Sequence, residues 1–454
     1  MPRFRFPVTL AALASVALAG ATACTATPDA ILSVTDPDII NPSDVESPAG
    51  ANAVRLGALA RFNAATSGDE GLFLLGGLLA DEWRSGDSFI ARDEIDQRNV
   101  TVENSFLLTT NRVLHRARLS AEQALDLMAR YTPTAPRWQA AEMYLVQGYV
   151  ENLMAEHYCS GLVFSTIVEG TPRYGSPITT TATLQRALAH VDSGLALVTG
   201  TTTDDARIRN ALAVTRGRIL VNLNRPADAA SAVAAVPTTF RYDQFHSQTS
   251  RINQVWSLNN NVRRYTVSAG EGANGPNYAA ANDPRVPTCA GGSQACRDAG
   301  VTQTRVFDNT TFPLFVQLIW RSQESPMTIV SGVEARLFEA EARLRANDAA
   351  GALQTLNALR ATVPGLAPLT DAGSEPGRVD QLFRERAFWL FGRGTRLGDM
   401  RRLIRQYGRQ TNAVFPTGNF HKGGLYGNDV NFPLPQAEQN NPNVTSAACI
   451  DRNA

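Results

Sequence analysis

Residues 382–405 read Leu-Phe-Arg-Glu-Arg-Ala-Phe-Trp-Leu-Phe-Gly-Arg-Gly-Thr-Arg-Leu-Gly-Asp-Met-Arg-Arg-Leu-Ile-Arg, the densest mixture of aromatics and charges in the chain. Phe383, Ala387, Leu390 and Phe391 recur at helical spacing, Gly392 and Gly394 interrupt them, and Leu397, Met400, Leu403 and Ile404 make a second apolar face. The pattern predicts a helix, a glycine elbow and a second helix. Arg384, Arg386, Arg393, Arg396 and Arg401 lie among these faces, where unpaired charge is expensive. Glu385 and Asp399 are therefore read as partners of arginines in a structural ion-pair network, and a catalytic role for them is the weaker reading.

Helical spacing recurs along most of the chain. Residues 52–66, 104–131, 136–158 and 183–197 read as amphipathic helices, the third marked by Trp138, Ala141, Leu145, Tyr149 and Met154. Asp228-Ala229-Ala230-Ser231-Ala232 and Asp348-Ala349-Ala350-Gly351-Ala352 each follow a helix, ending near Leu223 and Leu344 respectively. An alanine-lined helix, a short turn and a second helix form the antiparallel pair used in tetratricopeptide-type arrays. The fold class is all-α, with such pairs and long irregular loops. From about 240 to 325 the periodicity stops in a run dense in Asn, Gly, Ser, Thr and Pro, a loop-rich insertion of the kind that usually carries function.

The N-terminus constrains the compartment. Arg3 and Arg5 precede an apolar run from Phe6 to about Ala19, short for a bilayer span but suited to a secretory signal. Ala21-Thr22-Ala23 fits a small-residue cleavage site and Cys24 follows it, so residues 1–23 are expected to be a signal peptide and Cys24 to receive lipid. Residues 24–50 are then the anchor and an extended tether, and 51–454 one helical domain. Five cysteines in an exported chain leave one over; lipidation of Cys24 leaves Cys159, Cys289, Cys296 and Cys449. Of three possible pairings, Cys289 with Cys296 closes a short flexible loop, and Cys159 then staples the C-terminal tail through Cys449.

Chemistry is sparse. Formal charges balance at 42 against 42, which leaves no basic field for nucleic acid. There is no phosphate-cradling glycine loop, zinc helix or nucleophile elbow, and five scattered histidines offer no ligand spacing, so neither cofactor nor metal is expected. Aromatic platforms are better supported: flat rings pack on the apolar faces of sugars while polar side chains bond hydroxyls. Trp83 with Arg84 and Asp87 is one candidate ligand-binding group; Trp256, Tyr265, Tyr278 and Trp320 in the insertion are others.

Four places carry a resemblance. The signal with Cys24 and its Pro- and Asp-rich tether, the helix Val-Ser-Gly-Val-Glu-Ala-Arg-Leu-Phe-Glu-Ala-Glu-Ala-Arg-Leu-Arg at 330–345, the stretch 383–403, and Asn431-Phe432-Pro433-Leu434-Pro435-Gln436-Ala437-Glu438 with Asn440-Asn441-Pro442-Asn443 are together similar to the SusD/RagB family of outer-membrane nutrient-binding lipoproteins. Asn282-Asp283-Pro284-Arg285 is also at home there. The resemblance implies a tetratricopeptide-like body, a ligand site on irregular loops, and a lipid-anchored outer-membrane protein, exposed at the cell surface. It further implies a non-enzymatic protein that binds oligosaccharide or peptide and delivers it to a TonB-dependent transporter. The residues alone leave two other classes open, a helical-repeat scaffold for envelope protein assembly and an exported glycosidase.

Overall fold

The computed structural model describes residues 45–68, 70–168, 171–309, 314–444 and 449–454. The expected signal, Cys24 and most of the tether lie outside them. Ser47 caps the first helix, α1 (Pro48–Thr66), by accepting from the Gly50 N–H. After it come α2 (Leu72–Leu79), β1 (Trp83–Ser85), α3 (Ile90–Asp96), α4 (Ser105–Tyr131) and α5 (Arg137–His157). Short strands β2 to β5 (Leu162–Val163, Thr166–Val168, Thr171–Arg173, Pro177–Ile178) lead to α6 (Thr180–Leu197), α7 (Thr203–Asn222) and α8 (Pro226–Val233).

The rest of the chain resumes this helical order after the insertion. The insertion holds β6 (Arg241–Gln244), a turn of helix α9 (Gln254–Trp256), β7 (Tyr265–Val267), β8 (Thr288–Ala290), α10 (Gln294–Asp298) and β9 (Phe315–Gln317). It ends in β10 (Met327–Ser331), which leads straight into α11 (Gly332–Arg345), and α12 (Ala349–Arg360), α13 (Glu375–Trp389), α14 (Arg396–Tyr407) and α15 (Thr411–Val414) follow. Among the described residues, no helix is long and apolar enough to cross a membrane.

The helices stack as successive pairs: α1 with α4, α5 with α6, α7 with α8, and α11 with α12. The second helix of each pair packs on the first helix of the next, and the first helices also touch one another, α5 on α7 and α7 on α11. That is how a tetratricopeptide-type array buries a continuous core from units that could not bury their apolar faces alone. Close approach is built in: a Cβ on Gly217 would lie 2.9 Å from both Phe338 and Val233.

The insertion is more ordered than its composition suggested. β7 pairs antiparallel with β1, which stitches the insertion to the body, and β6 pairs with β10, which closes its two ends together. β8 pairs with β9. Asn259 and Asn260 supply the missing backbone partners, donating to Phe315 O at 3.1 Å and Gln317 O at 3.1 Å. A separate small core of Val301, Val306, Leu314 and Val316 surrounds Cys289 and Cys296, which form a disulfide. Cys159 is bonded to Cys449, across 290 positions of sequence.

The helix–elbow–helix of 382–405 sits at the centre. Arg386 holds Asp399, Arg402 bridges Asp399 and Glu341, and Arg396 forks onto Asp81 at 2.7 and 2.6 Å. Glu385 receives Arg285, from the Asn-Asp-Pro-Arg motif, and Arg360. Arg401 donates to the carbonyls of Ala155, Glu156 and Tyr158, the unsatisfied C-terminal end of α5. The closing motif docks at the same place: Cys159 N donates to Phe432 O and Phe432 N to His157 O, both at 2.8 Å. Each of these residues has a structural partner, whereas Arg393, also in the elbow, makes no ion pair among the described residues.

Candidate loop-face site

Four of the five aromatics singled out in the sequence are turned into the core. Trp83, Tyr265 and Tyr278 are fully buried and Trp320 nearly so. Trp83 lies 5.0 Å from Phe391, and Tyr278 lies 5.0 Å from Phe388 and 4.9 Å from Phe391, centroid to centroid. The Trp320 ring reaches Gly392. These rings wedge the loops onto the α13–α14 elbow, because irregular chain needs large buried anchors to offset the entropy of being held. Trp256 is half-buried against the same core.

Arg84 and Asp87 are likewise engaged inside the structure. Arg84 pairs with Glu271 and donates to Gly270 O at 2.6 Å. Asp87 is buried between Arg92 and Arg264. All but Trp256 are linked by these contacts into one region beneath the loop face.

The upper side of that region carries residues that sequence reasoning passed over. Phe89 and Phe307 are exposed, at 52% and 40%, and Arg264 lies between them, its guanidinium carbon 4.9 Å from one ring centre and 4.1 Å from the other. Asp87 fixes Arg264 from below at 2.5 Å. Arg92, beneath Phe89, pairs with Glu70 and lies 4.6 Å from the Phe106 ring centre and 5.4 Å from that of Tyr265. Burial lowers the Arg92 pKa, and the Tyr265 hydroxyl beside it counters.

The C-terminal loop closes the edge. Lys422, the sole lysine of the chain, bonds Asp93 at 2.8 Å and Asp308 at 3.3 Å and donates to Asp87 O. His421 approaches Ser85 O at 3.2 Å, and Gln97 donates to Leu425 O at 2.9 Å. The result is an aromatic–guanidinium–aromatic surface drawn from three separate loops. It can stack on a flat apolar face and offer charged hydrogen-bond donors beside it. Only the exposure of Phe89 and Phe307 distinguishes them from core phenylalanines, and no sequence pattern encodes that.

A second, open depression of about 430 Å³ lies nearby, lined by Val102, Glu103, Leu108 and the turn at Gln436–Asn440. Among the described residues, no aromatic lines it. No metal or cofactor motif organises either place, although Asp96, Glu271 and His421 bring ligand atoms within 4.8 Å of one another beneath the loop face.

No protein-family model matches the chain, and neither does any curated protein. Solved structures do match. A SusD superfamily protein from Bacteroides fragilis superposes with a TM-score of 0.64 at 14% identity, covering 88% of this chain and 99% of its own. The chain has the SusD-like fold. Surface glycan-binding protein A from Bacteroides uniformis gives a TM-score of 0.65 at 13% identity, covering 88% of this chain and 100% of its own. A laminarin-binding SusD-like protein gives 0.56 at 12%, covering 88% and 99%. At these identities the SusD-like likeness is one of architecture.

Proposed function

We propose that this protein is a non-enzymatic glycan-binding protein of the cell surface, held at the outer membrane by lipid on Cys24. It captures oligosaccharide on the face of Phe89, Arg264 and Phe307 and passes it to a TonB-dependent transporter. The observation that carries the reading is the arginine clamped between two exposed phenyl rings. A contiguous exposed apolar patch, unlike singly scattered side chains, marks an interaction site. The SusD-like fold supports it, since solved proteins of that architecture are described as surface glycan-binding. Nearby acids are engaged by arginine or lysine, as Asp87, Asp93 and Asp308 are, which suits a binding surface better than a pair of free catalytic carboxylates.

Affinity electrophoresis through gels containing β-glucan, starch, xylan or pectin tests the reading. One polysaccharide is expected to retard the wild type, and Phe89→Ala with Phe307→Ala to run unretarded. Retardation unchanged in the double variant would move the site elsewhere. Mild-detergent extraction of the native envelope should bring down an outer-membrane barrel, and intact mass should show acylated Cys24. Absence of both would remove the transporter and anchor from the proposal.

A further inference from the structure

Beneath the loop face, three segments distant in sequence converge on one buried spot. Asp96 comes from the last residue of α3, Glu271 from the run after β7, and His421 from the C-terminal loop. Their ligand atoms all lie within 4.8 Å of one another. Asp96 is 1% exposed; its Oδ2 accepts from the Ser85 N–H at 2.6 Å, while Oδ1 is buried with no hydrogen-bond partner. A carboxylate oxygen in that state costs free energy unless something positive meets it. The imidazole Nε2 stands 3.6 Å from the Asp96 carboxylate and 3.2 Å from Ser85 O. Glu271 is 1% exposed and oriented by Arg84 on one oxygen and the Tyr426 hydroxyl on the other.

We propose that Asp96, Glu271 and His421 form a binding site for a divalent transition metal of the zinc class, with Ser85 O or a water completing the set. Two carboxylates and an imidazole are a recognised zinc donor set, with bonds of about 2.0–2.2 Å. Shifts of under about 1 Å would bring the three atoms to that spacing. The imidazole argues against calcium or magnesium, which take all-oxygen shells. The metal would tie the C-terminal end of α3, the insertion and the C-terminal loop together, next to Lys422 in sequence and at the far end of α3 from Phe89.

The test uses the full purified chain, free of any polyhistidine sequence, stripped with chelator and then titrated with Zn²⁺ by calorimetry and with Co²⁺ by visible absorption. One Zn²⁺ per chain, a raised melting temperature, and cobalt d–d bands of a low-coordinate N/O site are expected. Asp96→Asn and His421→Gln should each weaken Zn²⁺ at least about tenfold. The two substitutions are on separate segments, so misfolding of one leaves the other, with circular dichroism as the folding control. No stoichiometric Zn²⁺, Zn²⁺ binding unchanged in a folded His421→Gln variant, or preference for Ca²⁺ would each overturn the site.

Discussion

Arg386 and Asp399 face each other across the turn between α13 and α14, joined by two hydrogen bonds of 2.7 and 2.9 Å in surroundings that exclude water. Asp399 also holds Arg402, which keeps Glu341, so it is Arg386 that loses its carboxylate when Asp399 is removed. Asp399→Asn keeps the shape and removes the charge, leaving Arg386 without its carboxylate. A loss of about 3–5 kcal/mol is expected, read by denaturant unfolding.

Glu82 behaves in the opposite sense. It is fully buried, its Oε1 accepts from the Gly392 N–H at 2.8 Å, and desolvation raises its pKa from 4.5 to about 8, a rise the Gly392 N–H partly counters. A carboxyl raised on folding binds its proton more tightly in the native state. Its contribution is therefore full below about 4.5 and is lost as pH climbs through the window to about 8. Asp399, depressed on folding in spite of burial by Arg386 and then Arg402, has the reverse sign and loses its contribution as pH falls below 3.8. Glu82→Gln should unfold with less loss of stability between pH 5 and 8 than the wild type, by a few kcal/mol at roughly 1.4 kcal/mol per unit. Parallel pH-dependent slopes for the two proteins would show that Glu82 does not carry the effect.

Trp83 and Phe89 separate structure from binding. Trp83→Ala empties a site fully enclosed by Tyr265 and Phe391 and is expected to cost about 3–5 kcal/mol. Phe89→Ala removes a half-exposed ring, and stability should stay within about 1 kcal/mol while glycan retardation falls. A folded Trp83→Ala protein that lost binding with little loss of stability would reinstate the buried ring as a ligand contact.

The helical body was legible because its signals are local. Alanine-lined faces at 228–232 and 348–352 follow helices with short turns, and α7–α8 and α11–α12 stand there. The glycine elbow was readable for the same reason. The loop face was not, because a tryptophan in an irregular segment reads the same whether it anchors the loop or meets a ligand. Trp83 and Tyr265 point inward only because β1 and β7 pair in the register Trp83 to Val267 and Ser85 to Tyr265, a pairing across some 180 positions of sequence. The convergence of Asp96, Glu271 and His421 is invisible for the same reason.

The disulfides should differ in weight. Chain entropy scales with the loop closed, and Cys159–Cys449 spans 290 positions against 7 for Cys289–Cys296. Replacing the first pair by serine is expected to cost up to about 5 kcal/mol and the second about 2. Equal losses from the two serine pairs in urea unfolding would place the stabilisation in local packing.

Gly394 and Gly408 offer a comparison in which backbone conformation is held constant. Both have left-handed φ, 65° and 66°, where an alanine is strained by about 1 kcal/mol. Around Gly408, the cap of α14, nothing lies within 4 Å of an added Cβ. At Gly394 the same atom would sit 2.6 Å from the Phe73 ring. The carbonyl of Gly394 also accepts from Arg218 at 2.6 Å, an arginine whose other bonds go to Glu156 and Tyr149. Gly408→Ala should therefore cost about 1 kcal/mol. Gly394→Ala adds an overpacking loss of about 1–3 kcal/mol and displaces the carbonyl that joins the elbow to α7. Equal costs in denaturant unfolding would mean that Phe73 can move aside and that the elbow is held by its ion pairs alone.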